Sequence, residues 1–468
     1  MRTGTLTGTL GLAAFFVALS MVFVAAPAAK GANSGSVDST HSDELQTWIS
    51  RHAVAVRSID ASDDDFTDLE PLGRAIGSTR VVQLGEPSHG AGSAFAAKAR
   101  ITKFLHQRLG FDVLIWESGL YDVALAQAGM RSGDDAVTAA GRGIFTLWSA
   151  ASEVRPLFEY VKASQATLRP LEMAGFDMQV TADGTTERYA HDLRAFAGAP
   201  WDPALRMQCV SLADQAIAAR ERLFSSSFAN PRDLESLTAA TQQLRQIMGA
   251  RSSDFDAVRS GLETSFMMHT IEDMRADAAM RFESAHSPPT TPERESRRDA
   301  LNAMNLRWLL EEKYAGRKVL VWAHNVHVMN AYYARGFHDV HLEPHPGDMK
   351  PMGLFLREWL GDRVYTLGIT AFQGEEGFAV GGPVSPIAPA PDGSFEASLH
   401  TLGYPYAFVD FRASKKDRRN PMRAAQTIRI PKFESHTIPD VGHIYDGIFF
   451  IDRMSPATRL SGHSRPSQ

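Results

Sequence analysis

The sequence predicts an α/β fold, a central and largely parallel sheet flanked by helices, with a helical insertion between its two halves. Three observations predict it. VVQL (81–84), FDVLIW (111–116) and KVLVW (318–322) are short, nearly continuous apolar runs, as strands buried on both faces are. Between the first two lies KARITKFLHQRLG (98–110), with Ile101, Phe104, Leu105 and Leu109 at helical spacing and Gly110 placed as a C-cap. Strand, helix, strand is a βαβ unit, so its strands run parallel. From 190 to 312 the apolar pattern turns wholly helical, as in Leu234, Leu237, Leu244, Ile247 and Met248 behind Asn230-Pro231.

The elements follow in order. Residues 1–28 read as a signal peptide: Arg2, an uncharged apolar run, then the small-residue pattern Ala26-Pro27-Ala28. An uncleaved anchor is the competing reading, because the apolar run approaches spanning length. The expected location is secreted or periplasmic, with no membrane contact after cleavage. Residues 29–42 are small and polar, a disordered lead-in. The first α/β half occupies 43–189. It opens on a helix through Leu45, Trp48, Ile49 and His52, turns at a helix-breaking corner Leu69-Glu70-Pro71, and then enters what is read as its first strand, RVVQLGE. LEMAGFDMQ (171–179) adds a strand. The insertion spans 190–312, with HSPPTTPERES (286–296) as its one linker-like stretch. The second half, 313–455, carries RKVLVWAHNVH, DRVYTLGITAF, YPYAFVDFR and DGIFFIDRM. Residues 456–468 form a loose tail.

With 48 basic and 54 acidic residues the net charge is −6, which excludes the basic excess of a nucleic-acid binder. Cys209 is the only cysteine, so no internal disulfide exists. Its apolar helical setting, LRMQCVSLADQAI, reads as a buried, inert thiol.

The chemistry is expected where buried strands stop. The first ends in GEPSHG with Glu86 and His89, the second in Glu117, the third in AHNVH with His324 and His327. Parallel strands share one carboxyl edge, and ligands bind outside it. Five titratable groups far apart in sequence are therefore expected to meet. Gly85 and Gly90 are expected to permit the tight turn. Singly, the residues have bland readings: Glu86 as a charge at a helix N-terminus, His89 as a turn residue, Glu117 as a strand-end carboxylate in water and His327 as a surface histidine. Together they read as a site with His89 as general base, Glu86 or Glu117 orienting it, and His324 and His327 polarising a carbonyl or protonating a leaving oxygen. E-x-x-H and H-x-x-H also offer ligands to Zn or Mn, so a metal-dependent hydrolase is the rival reading. A non-catalytic ligand-binding protein is the third. Ser88 and Ser118 lie outside G-x-S-x-G, which argues against a serine nucleophile.

GEPSHG, the following helix and VLIWE resemble the opening of the erythromycin esterase family. The resemblance continues through Trp148 with Glu153-Val154, GFDMQ (175–179), RDALNAMN (298–305), WAHNVHV (322–328), MGLFLRE (352–358) and YDGIFFID (445–452). It implies an esterase that cleaves a carboxylic ester or macrolactone with water activated by the histidine at His89, without a covalent acyl-enzyme and without a cofactor. Glu86, Glu117, His324 and His327 fall on the family's other active-site positions. Lys98 stands where the family commonly carries Arg; it keeps the charge and loses the bidentate fork. Met304 replaces a usual acidic residue. Lys98, Trp148, Tyr121 and Phe145 are the expected substrate contacts, and a small-molecule ester or lactone the expected partner.

Overall fold

The computed structural model describes residues 39–181, 185–200, 202–225, 230–256, 259–286, 292–334, 339–412 and 420–460. The signal-peptide reading and most of the lead-in fall outside them. Among the described residues thirteen strands form: β1 (Ala53–Val56), β2 (Val81–Leu84), β3 (Phe111–Gly119), β4 (Glu172–Asp177), β5 (Lys318–Trp322), β6 (Tyr332–Tyr333), β7 (Val340–His341), β8 (Val364–Glu376), β9 (Ser385–Ile387), β10 (Tyr406–Asp410), β11 (Gln426–Ile428), β12 (His436–Ile438) and β13 (Gly447–Met454). Nine of them build one sheet in the order β1-β10-β13-β8-β2-β5-β3-β4, with β9 antiparallel on β8. From β13 to β4 every pairing is parallel. The predicted largely parallel sheet is therefore present, and the three strands that carry the candidate residues, β2, β5 and β3, are immediate neighbours inside it, toward the β4 edge.

The apolar runs are continuous because both faces are covered. Val82, Leu84, Leu114, Trp116, Leu320 and Trp322 pack into one core with Phe95, Phe104 and Trp148. Val81, Val113, Ile115, Val319 and Val321 pack into the opposite core with Leu306, Leu310 and Leu356. Each such side chain contributes about 1.5–3 kcal/mol on burial. The helical insertion has a core of its own, in which Leu193, Phe196, Ile217, Leu237, Leu244 and Ile271 meet. Cys209 lies in that core, fully buried, and burial raises its thiol pKa. Among the described residues no helix is long and apolar enough to cross a membrane.

Several expectations need correction. β2 is not the first strand: β1 precedes it, pairing antiparallel with β10 at the sheet edge. Its four residues AVAV follow the opening helix Ser39–His52 without a break, so periodicity had no boundary to detect. That helix also starts four residues before Asp43. Pro71 begins a helix, Glu70–Ile76, rather than breaking one, because a proline in the first turn gives up no needed N–H. Tail residues 456–460 are packed: Pro456 bridges Ala91, Arg459 bridges Ala151, and Leu460 is buried. Neither Gly85 nor Gly90 adopts a positive φ. Gly85 is needed for close approach instead, since a Cβ there would lie 2.1 Å from Asn325 Oδ1.

Asn325 explains why that approach matters. Its Nδ2 donates to Ile369 O at 2.8 Å and Pro431 O at 3.2 Å, and its Oδ1 accepts from Ile369 N at 3.1 Å. Its backbone N–H donates to Glu86 O at 2.8 Å. One side chain thus ties β8 and the 431 segment to the β2 and β5 ends. Gly85→Ala is expected to crowd this knot and lower stability by about 1–3 kcal/mol, the range for overpacking. Denaturant unfolding checks it, and an unchanged midpoint would show that the knot yields freely.

Candidate active site

Glu86 is the first residue past β2 and its turn glycine, and it is wholly buried. It accepts from three side chains. His89 Nδ1 and Trp148 Nε1 each reach Oε1 at 3.0 Å, and Lys98 Nζ donates to Oε2. Lys98 comes from the helix Gly92–Leu109, two turns in, and is also wholly buried. Its ammonium donates to Ala323 O at 3.2 Å and lies 4.2 Å above the Trp322 ring. Burial pushes its pKa down to about 8, against the pull of Glu86. Arg100, on another face of the helix, pairs with Asp68 at 2.8 and 2.9 Å.

His89 is fixed by this arrangement. A carboxylate facing an ammonium is an acceptor, so Nδ1 of His89 carries its proton toward Glu86. Nε2 then carries the lone pair, and among the described residues it has no hydrogen-bond partner. The His89 side chain is 15% exposed, against 0% for Glu86. Its ring meets Trp148 and His324 edge-on, with centroids 5.2 and 5.1 Å apart.

A second charged group surrounds Glu117, at the end of β3. Its Oε1 lies 3.2 Å from His327 Nε2 and 3.3 Å from Arg298 Nη2. Burial opposes its charge, but His327, His89 and Arg298 outweigh burial and hold the carboxyl well below the ordinary range. His327 Nδ1 is 2.7 Å from Asp299 Oδ1. Burial disfavours the imidazolium, yet Asp299 and Glu117 on either side raise its pKa well above that of a free histidine. Arg298 pairs with Asp177 at the end of β4. Asp299 also accepts from Met352 N at 3.1 Å, so it anchors the helix Met352–Leu360.

His324 links the two groups and is spent in doing so. Its backbone N–H donates to Glu117 Oε2 at 2.9 Å. Its Nδ1 accepts from Val326 N at 3.1 Å, capping the short helix Asn325–Val328, and its Nε2 donates to Pro87 O at 3.1 Å. Burial, then the nearby His89 and Lys432, keep its pKa well below normal. Both nitrogens are engaged with backbone, so the expected role of His324 in polarising a carbonyl or protonating a leaving group does not fit. It holds the Glu86-Pro87-Ser88-His89 turn in place.

The five residues expected to converge thus form one connected chain of contacts. The expected substrate contacts fare differently. Lys98 and Trp148 are wholly buried and serve Glu86, so neither presents a surface to a substrate. Tyr121 donates to Asp192 at 2.7 Å and meets the ring of Tyr189, against the insertion. Phe145 is half-buried and packs edge-on against Trp148. Sequence reasoning assigned no role to Asp177, Arg298 or Asp299. Asp177 had the same signal as Glu117, a carboxylate closing a buried strand. Arg298 and Asp299 arrive on a helix, and strand ends carry no signal for them.

The comparisons add a lineage to this geometry. A family model described as erythromycin esterase matches residues 106–454, which contain Glu117, Asp177, Arg298, Asp299, His324 and His327 and begin after His89. The chain belongs to the erythromycin esterase family. It is 27% identical to "Putative hydrolase YbfO" of Bacillus subtilis (strain 168), over 88% of this chain and 91% of that one. It is 23% identical to an erythromycin esterase type II of Escherichia coli, over 88% and 98%. Among solved structures, a Bacillus cereus protein shares the fold at a TM-score of 0.70 and 17% identity, over 90% of this chain and 99% of that one. An erythromycin esterase mutant in its open conformation shares it at 0.62 and 15% identity, over 86% and 98%.

Two outcomes follow for this family member. Lys98→Met leaves Glu86 buried beside neutral partners, and stability is expected to fall by about 3–5 kcal/mol, as when one partner of a buried pair is removed. An unfolding midpoint equal to wild type would mean that Trp148 and His89 suffice. For His327, whose pKa is raised on folding, the stabilisation is complete below the unfolded value near 6.5 and is lost as pH rises through the higher folded value. Asp299→Asn removes one of the two carboxylates that raise it. The alkaline loss of thermal stability is expected to begin at lower pH, and coincident Tm-versus-pH curves would refute the pairing.

Proposed function

We propose that this chain is a hydrolase that cleaves a carboxylic ester or macrolactone with water activated by His89. The observation that carries the proposal is the asymmetry of His89: Nδ1 is committed to Glu86, while Nε2 has no partner among the described residues. The other titratable groups are poorly suited to the task. Glu117 is held charged and His327 protonated at neutral pH, and His324 has both nitrogens occupied. A base needs a lone pair directed away from its orienting partner, and His89 Nε2 supplies one.

The proton balance is simple. Water attacks the ester carbonyl carbon as its proton moves to His89 Nε2. The imidazolium is then stabilised across Nδ1 by Glu86. The tetrahedral intermediate collapses, the C–O bond to the alcohol breaks, and the departing oxygen takes the proton back from Nε2. No acyl-enzyme is needed, and neither Ser88 nor Ser118 is required as nucleophile: Ser88 Oγ accepts from Gly90 N at 3.0 Å and Ser118 Oγ from Phe145 N at 3.0 Å. The positive charges of Arg298 and His327 favour an oxyanion nearby. A metal at this cluster is the rival reading, and His324 offers it no spare nitrogen, since both of its ring nitrogens bond to backbone. The names of the relatives support a hydrolase, and the family supports a small-molecule substrate. The N-terminal residues 1–28 support a site of action outside the cytoplasm, secreted or periplasmic.

The test is a panel of macrolides and simpler esters offered to the mature protein and to His89→Ala. The variant is expected to keep the fold and lose about a hundredfold or more in kcat/KM, the worth of a general base. Equal rates for the two proteins would remove His89 from the mechanism. Activity lost on chelation and restored by a metal ion would favour the metal-dependent alternative.

A further inference from the structure

We propose that His341, His345 and Asp348 form a binding site for a divalent transition-metal ion of the zinc type, apart from the catalytic cluster. The three lie in HLEPHPGD, residues 341–348, between β7 and the helix Met352–Leu360. One ligand atom from each falls within 4.8 Å of the other two, and no other set of three His, Cys, Asp or Glu groups converges this way among the described residues. His341 Nδ1 is 2.8 Å from Asp348 Oδ2, and the two imidazole centroids are 3.9 Å apart.

Three features distinguish this group from a chance surface cluster. The six residues from Leu342 to Gly347 are all exposed, yet the Asp348 side chain is only 5% exposed. The carboxylate is turned inward beside the two rings. His345 N donates to the same Oδ2 at 2.9 Å, so the backbone already brings the second imidazole to it. Pro344, Pro346 and Gly347, with φ +86°, fix the turn, which lowers the entropy to be lost on binding. Two imidazole nitrogens and one carboxylate oxygen are a ligand set that suits zinc, with water as the fourth ligand. At zinc to ligand distances near 2.0–2.2 Å the three ligand atoms would draw closer together, and the proton between His341 Nδ1 and Asp348 Oδ2 would be released to solvent.

The ion would act as a staple for a segment that borders the active site. Just beyond Asp348, Met349 pairs with Tyr333 in both directions, at 2.8 and 3.1 Å. Lys350 N donates to Ser296 Oγ at 3.2 Å, and Met352 N donates to Asp299, the partner of His327. The staple takes no part in the reaction, so it stands or falls independently of the ester hydrolysis proposed above.

The full chain, stripped of metal by chelation, is titrated with Zn²⁺ alone against a chromophoric competitor. Co²⁺ is then added as a spectroscopic probe of nitrogen and oxygen ligation. One equivalent is expected in the wild type. His345→Ala and Asp348→Asn are expected to weaken it by more than about tenfold, since even outer contacts of metal sites are worth that much. His89→Ala is expected to bind as wild type does. Zn²⁺ is expected to raise the Tm of the wild type and leave that of His345→Ala unmoved. Because His345 is exposed, its alanine variant should fold, and circular dichroism confirms that. The proposal is overturned if the wild type binds no stoichiometric zinc, if His345→Ala binds it equally well, or if binding is lost in His89→Ala and kept in the loop variants.

Discussion

Burying carboxylates at the end of a parallel sheet is the constraint on which the site depends. Glu86 has no exposed surface, so its charge must be met by donors inside the protein. Three elements supply them: the turn through His89, the helix through Lys98, and the 146–149 helix through Trp148. Each partner is thereby oriented by the need to satisfy Glu86. His89 benefits most, because a fixed Nδ1 partner sets its tautomer and aims its lone pair. The interior aromatic groups contribute as well, with Trp322 under the Lys98 ammonium and Trp148 edge-on to His89.

Glu117 is solved differently. It sits among groups that are themselves charged, His327 and Arg298, which are in turn balanced by Asp299 and Asp177. The result is an alternation of sign across three strand ends and one helix. His324 stands between the two arrangements, where burial disfavours a charge on its ring and the His327 imidazolium lies close by. Burial lowers its pKa, and its two backbone hydrogen bonds occupy both ring nitrogens.

Much of this was legible in the sequence, for a physical reason. A strand buried on both faces must be apolar throughout, so the polar residue that ends it stands out. That signal located Glu86, Glu117 and the AHNVH turn, and parallel connectivity brought them together. The same rule reaches Asp177, at the end of MAGF. It fails for Lys98, whose place on an amphipathic helix resembles that of any solvent-facing lysine. It fails for Arg298 and Asp299 as well, since a polar helix face carries no mark of what it meets. β1 escaped notice because an edge strand of four residues is too short for period two to emerge from the preceding helix. Trp148 and Tyr121 show the opposite error. Aromatic residues near a site suggest a wall, whereas one hydrogen-bonds a buried acid and the other packs on the insertion.

The helical insertion completes the account of how the charged network is bounded. It folds around its own core and meets the end of β4 through the Arg298–Asp177 pair and through an amide. Asn305 Nδ2 donates to Phe176 O at 3.1 Å and to both oxygens of Asp273 at 2.9 and 3.0 Å. Burial pushes the Asp273 carboxyl well up, with the charge of Asp177 adding to the effect. A negative charge on Asp273 beside Asp177 is thus disfavoured, and Arg298 pairs with Asp177 and Glu117. Arg298 couples β3 to β4 at their carboxyl ends through Glu117 and Asp177, as Arg317 does at their start through Asp112 and Glu172. Charge is concentrated where strands β2, β3, β4 and β5 end, and the surrounding helices complete it, with Lys98 on Glu86, Arg298 on Asp177 and Glu117, and Asp299 on His327.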